Sequence, residues 1–193
     1  RFPHQVTLNP SSTISVSRIV DFIVEFPCFV SEFVIRRCVD IALITGPAAY
    51  RSSIERTDGF VQALAKRGLE LPKSRIIEAG YTFESGVVAA EKLLSSKNRP
   101  TAIFTGNDEM AAGVYKVAMR AGISIPRQLS MIGFDDSPLA SRLWPSLTSV
   151  RRNTRDTGRT AAAMLIQPEG TPMLAAASIR PHLVIRDSSQ PPE

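Results

Sequence analysis

Cysteine and histidine are scarce in this chain: among 193 residues there are two of each, Cys28 and Cys38, His4 and His182. Two cysteines do not build a disulfide framework, so a reducing, cytoplasmic setting is the simpler expectation. The histidines stand at opposite ends of the sequence. A His-rich metal site and a local Cys–His nucleophile therefore have little support, and no metal, cofactor or catalytic residue is assigned. Long apolar runs are missing too. A membrane span needs about 18 such residues, and the best stretches, around residues 19–24 and 26–30, are broken by Asp21, Glu25 and Pro27. Arg1-Phe2-Pro3-His4-Gln5 lacks the basic-then-apolar order of a secretion signal, and without an initial Met the expectation is a processed or truncated product. Gly46-Pro47 is followed by Ala-Ala-Tyr-Arg and not by the Gly-Lys-Ser/Thr of a phosphate loop. Neither a G-x-S-x-G elbow nor a dinucleotide glycine fingerprint is present. The expectation is that the chain is not an enzyme.

What is present is an ordinary globular balance, with 44% hydrophobic and 21% charged residues. The formal charge of +5 is carried by eighteen arginines against five lysines. Because the arginines are scattered, the basicity permits contact with nucleic acid without pointing to it.

From residue 41 a regular alternation begins. Residues 41–46 form a short apolar run ending in Gly-Pro, the mark of a buried strand. Ser52-Ser53-Ile54-Glu55 predicts a capping box opening a helix, with Ile54, Val61, Leu64 and Ala65 on its apolar face and Gly68 as its stop. A second strand is expected at 75–80, then a helix carrying Phe83, Val87, Ala90 and Leu94 on one face. The third unit is a strand at 101–106, Asn107 as N-cap and a helix at 110–121 stopped by Gly122. A fourth strand runs over 129–134 and ends in Asp135-Asp136. Strands separated by helices of this length are βαβ units, which predict a parallel sheet with helices on both faces. Beyond it, 143–147 reads as a loop, 148–152 as a strand, 154–166 as a helix and 179–186 as a final strand. Short strands are expected at 5–9 and 14–17, and the tail from Ser188 is expected to fray.

Open parallel sheets bind ligands beyond the carboxyl ends of their strands. Gly46, Pro47, Tyr50, Ser52 and Arg56 follow the first strand, Tyr81 the second, Asn107 and Asp108 the third, and Asp135 and Asp136 the fourth. Guanidinium, carboxylate, amide and aromatic groups at one edge suit a polyhydroxylated ligand, since charged groups bond hydroxyls and aromatic faces cover sugar rings. Alternatives stay open for each: Arg56 as a surface cation, Asn107 as a cap alone, Tyr81 as a core or rim aromatic, and the aspartate pair as a turn cap or a Mg²⁺ ligand.

Several segments are similar to one family. Ile41-Ala42-Leu43-Ile44-Thr45-Gly46-Pro47, Arg56-Thr57-Asp58-Gly59-Phe60 and Tyr81-Thr82-Phe83-Glu84-Ser85-Gly86 resemble the lactose-repressor (LacI/GalR) family of bacterial transcriptional regulators. So do Asn107-Asp108-Glu109-Met110-Ala111-Ala112-Gly113, Leu129-Ser130-Met131-Ile132-Gly133-Phe134-Asp135-Asp136 and Leu147-Thr148-Ser149-Val150-Arg151. The motifs keep the family's order and spacing over about residues 41–187. The resemblance implies an effector-binding, periplasmic-binding-protein-like type I fold with a ligand between two α/β lobes. Residues 1–40 would be a divergent remnant of the first lobe, 41–150 most of the second, 151–175 the crossover, and 176–193 a return strand and tail. It implies effector contacts at Tyr50, Ser52, Arg56, Tyr81, Asn107 and Asp135, a sugar or polyol effector, and a homodimer formed through helix 110–121 and the segment after Asp136. Operator DNA is expected to be bound only through a helix-turn-helix, for which residues 1–40 offer no Thr-Val-Ser-Arg-type recognition helix. Arg152-Asn153-Thr154 replaces the family's more usual Gln-Pro-Ile/Met. A stand-alone sugar-binding protein of the same fold is the alternative.

Overall fold

The computed structural model describes residues 40–166 and 181–190. The strands expected at 5–9 and 14–17, and the remnant lobe at 1–40 up to residue 39, lie outside the described residues. Within them a six-stranded sheet runs in the order β2-β1-β3-β4-β5-β6. β1 is Ile41–Thr45, β2 Ile76–Glu78, β3 Ala102–Thr105, β4 Ser130–Asp135, β5 Thr148–Arg151 and β6 His182–Val184. The helices are α1 (Arg51–Ala65), α2 (Phe83–Leu94), α3 (Asp108–Arg120) and α4 (Thr154–Ile166).

β1, β3 and β4 are apolar on both sides of their pleat, which a central parallel strand requires because both faces of the sheet are covered. Ala42, Ile44, Ile103 and Met131 pack with α2 and α3. Their neighbours Ile41, Leu43, Phe104 and Ile132 pack with Phe60, Ala63 and Leu64 of α1. Alternate residues of one continuous apolar run thus serve two cores. The Phe60 and Phe104 rings stack at 5.0 Å and hold α1 against the sheet.

The expected parallel pairing holds from β1 to β5. Four details refine the reading. First, β6, beyond the βαβ units, runs antiparallel to β5 and pairs Val150 with Leu183. Second, α1 begins at Arg51, with Tyr50 as an N-cap that makes no side-chain cap bond. Glu55 pairs instead with Arg51, one helical turn back. The capping box opens α2: Thr82 accepts from the Ser85 N–H and Ser85 accepts from the Thr82 N–H. Third, the buried face of α1 is Ser53, Arg56, Gly59, Phe60, Ala63 and Leu64, while Ile54 is 49% exposed. The polar pair on that face belongs to the site described below. Fourth, Ser188 and Ser189 are buried. Ser188 Oγ accepts from the Thr148 N–H at 2.8 Å and donates to the Met131 carbonyl at 2.7 Å, pinning the segment after β6 between β4 and β5.

Candidate functional site

Because β1 to β5 are parallel, their carboxyl ends lie along one edge, and the loops there gather residues far apart in sequence. Arg56 is the centre of this group. It lies one turn after Ser53 on the buried face of α1 and is 8% exposed. One guanidinium N–H group donates to the Gly106 carbonyl at 2.6 Å and to the Tyr81 hydroxyl at 3.2 Å. The guanidinium lies 3.8 Å from the centroid of the Phe134 ring, a contact that stabilises a desolvated cation. Its Nε is buried and has no partner among the described residues. Burial lowers the Arg56 pKa; Tyr81 and Asp135 oppose that shift, and the charge of Arg152 adds to it.

Tyr81 lies where α1 and the loop before α2 meet. Its hydroxyl shares a 2.7 Å hydrogen bond with Ser53 Oγ. The ring covers Gly46 at the end of β1, where a Cβ would overlap it. Tyr81 has a φ of +62°, which costs a non-glycine residue conformational energy. Asn107 holds it there: its Nδ2 donates to the Tyr81 carbonyl at 2.9 Å, while its Oδ1 accepts from the Met110 N–H and caps α3. Cap and positioning roles coexist in one side chain.

Asp135 and Asp136 end β4 with φ values of +108° and +50°. The turn is tied from beneath by Asp108, the first residue of α3, which is 2% exposed. Asp108 Oδ2 accepts from the Ser137 N–H at 2.7 Å and Oδ1 from the Ser149 hydroxyl at 2.6 Å. Ser149 Oγ in turn accepts from the Asp136 N–H at 3.0 Å. Gly133 makes room for that carboxylate, since a Cβ there would overlap it. Burial raises the Asp108 pKa, and the bonds from Ser149 and Ser137 oppose the shift. Asp136 is shared by Arg151 and Arg186. Asp135 pairs with Arg152 at 2.7 Å. The two carboxylates therefore answer to arginines.

Of the residues singled out in the sequence, Arg56, Tyr81 and Asn107 form one hydrogen-bonded group, and Asp135 lies beside it next to Phe134. Tyr50 stands at the rim, 57% exposed, its ring centroid 6.2 Å from that of Tyr81. Ser52 is exposed; its neighbour Ser53 is the one that bonds Tyr81. Ser53 and Phe134 were missed in the sequence. A three-residue step back from Arg56 along one helical face is the signal that finds Ser53.

Residues 30–189 match the periplasmic binding protein-like domain family. Catabolite control protein A of Priestia megaterium is 42% identical over 111 residues, 58% of this chain and 33% of that protein. The ribose operon repressor of Escherichia coli (strain K12) is 37% identical over 134 residues, 69% of this chain and 41% of that repressor. The chain thus spans between a third and two fifths of the length of these curated relatives. A crystal structure of a sugar-binding transcriptional regulator of the LacI family from Escherichia coli, complexed with phosphate, superposes with a TM-score of 0.79 at 29% identity, covering 90% of this chain and 62% of that one. Fold and family match agree: the chain belongs to the periplasmic binding protein-like domain family, as an effector-binding domain of the LacI/GalR kind.

Proposed function

We propose that the crevice over the carboxyl ends of β1, β3 and β4 binds a small polar effector, and that the chain is the sensing portion of a LacI-type transcriptional regulator. One observation carries the reading: Arg56 is buried on an aromatic ring with Nε unpartnered, in the group formed with Tyr81 and Asn107 and beside Asp135. A buried donor left without a partner costs about 1–3 kcal/mol, a cost repaid when a ligand supplies the acceptor. Tyr50 and Ser52 would meet the ligand from the rim. The names of relatives, a ribose operon repressor and a sugar-binding regulator, favour a sugar or polyol. In this reading the chain is no enzyme, works in the cytoplasm, and meets operator DNA through a separate helix-turn-helix. The crossover expected at 151–175 lies, beyond residue 166, outside the described residues. Among the described residues no helix is long and apolar enough to cross a membrane.

The same reading assigns a second copy of the chain to the apolar groove on the far side of α3. That groove, about 590 Å³, is lined by Phe83, Tyr115, Met119, Leu143, Trp144 and Pro145. Trp144 is 92% and Met119 76% exposed, an apolar patch of the kind that marks an interface. The family resemblance points to the same face.

Thermal melting of the 193-residue chain against a panel of monosaccharides, disaccharides, sugar acids and nucleobases tests the effector reading. At least one compound should raise the Tm of the parent, and Arg56→Ala should abolish that rise. A rise that persists in Arg56→Ala places the ligand elsewhere and contradicts the reading.

A further inference from the structure

The pairing of charges along the sheet edge bears on what the effector carries; this deepens the effector reading and rests on it. Asp136 is held by Arg151 and Arg186, and Asp135 by Arg152. Asp108 is committed to Ser137 and Ser149. Arg56 makes no ion pair among the described residues; its two hydrogen bonds go to neutral oxygens, and its Nε has no partner. Arg152 lies close by, half-exposed, on the first residue beyond β5. Its guanidinium is 5.6 Å from the centroid of the Phe134 ring that carries Arg56 at 3.8 Å. Two cations thus share one ring, and the carboxylate beside them, Asp135, is ion-paired with Arg152.

Burying a cation without a counter-charge is costly, and a neutral hydroxyl supplies an acceptor but no charge. A carboxylate or phosphate oxygen supplies acceptor and charge together, in the planar geometry that a guanidinium fork fits. We propose that the crevice takes a polyhydroxylated anion, a sugar bearing a carboxylate or a phosphate. Arg152 is then a specificity-determining residue that holds the anionic group together with Arg56. Asp135 keeps Arg152 at the rim until the ligand arrives, and its second oxygen stays available to the ligand's hydroxyls.

The test is a titration of the 193-residue chain with glucose, glucuronate, glucose-6-phosphate and inorganic phosphate, followed by the backbone amide NMR signals of Gly46 and Gly106. One of the anionic sugars should bind at least about tenfold more tightly than glucose and than inorganic phosphate. Which one it is tells carboxylate from phosphate. Arg152→Gln, checked for an unchanged fold by its amide spectrum, should cut that preference to about twofold or less, while exposed Lys92→Gln leaves it intact. Equal binding of glucose and both anionic sugars, or a preference that survives Arg152→Gln, overturns the proposal and leaves the pocket standing. Inorganic phosphate bound as tightly as either sugar anion also overturns it, because the polyol then contributes nothing. If none of the three sugars moves either glycine signal, the proposal fails, and the effector reading stands or falls separately on the melting panel.

Discussion

Asp108→Ala tests whether the Asp135–Ser137 turn is held from below. The carboxylate is 2% exposed and receives the Ser137 N–H and the Ser149 hydroxyl. Removing it leaves a backbone donor and a hydroxyl donor without acceptors, each worth about 1–3 kcal/mol when buried. Loss of a desolvated carboxylate offsets part of this, so the expected net loss is about 2–4 kcal/mol. For a chain of this size, each kcal/mol moves Tm by about 2–4 °C, which predicts a fall of about 4–16 °C. The pH dependence has a definite sign. Because burial raises the Asp108 pKa, the folded state binds more protons than the unfolded state above an ordinary carboxylate pKa of about 3.9. Its contribution is full below that value and declines as pH rises through the folded pKa. The gap between parent and Asp108→Ala should therefore be wider near pH 4 than at neutrality, by about 1 kcal/mol for each unit of upward shift. Calorimetry on both proteins across this range is the assay. Equal Tm values at neutral pH, or a gap that widens as pH rises, would refute the reasoning. The variant should also weaken ligand binding, since Asp108 holds both the Ser137 N–H and the Ser149 hydroxyl that in turn accepts from Asp136.

Arg56→Met should leave the ligand-free Tm within about 3 °C of the parent. The lost bonds to Gly106 and Tyr81 are balanced by relief of a desolvated cation, and a shift beyond about 10 °C would make Arg56 a structural residue. Ser188→Ala, which strips the Thr148 N–H and the Met131 carbonyl of their partner, should cost about 1–3 kcal/mol in denaturant unfolding. No change would show that the Ser188 hydroxyl adds nothing to the hold on the segment after β6. In sedimentation velocity the parent should self-associate and Trp144→Ser should shift it toward monomer; a parent that stays monomeric at high micromolar concentration contradicts the interface.

The sheet was legible because β1, β3 and β4 are unbroken apolar runs separated by helix-length segments, and right-handed crossovers leave little other choice. The direction of β6 was not, since a three-residue edge strand carries no sign of which way it pairs. The phase of α1 failed for an instructive reason. Ser53 and Arg56 occupy the buried face in service of the site, so hydrophobic periodicity pointed to Ile54 instead. A helix whose apolar stripe is interrupted by an arginine marks a site more than a core. The capping box at Thr82–Ser85 uses Ser where the familiar pattern has Glu or Gln, and it escaped for that reason. That Arg56, Tyr81 and Asn107 gather at one sheet edge with Asp135 beside them follows from the strand-end positions the βαβ pattern set. The hold of Asp108 on the turn runs across 29 and 41 residues of sequence, and no local pattern reports such a bond.

The most direct test of the account follows the Arg56 side-chain Nε–H by NMR while a compound that raises the Tm is titrated to saturation. The account predicts a large shift of that resonance and slower exchange with water, as the unpartnered donor acquires an acceptor, with backbone changes confined to the ends of β1, β3 and β4. Saturating ligand with the Arg56 Nε–H signal unmoved would contradict it.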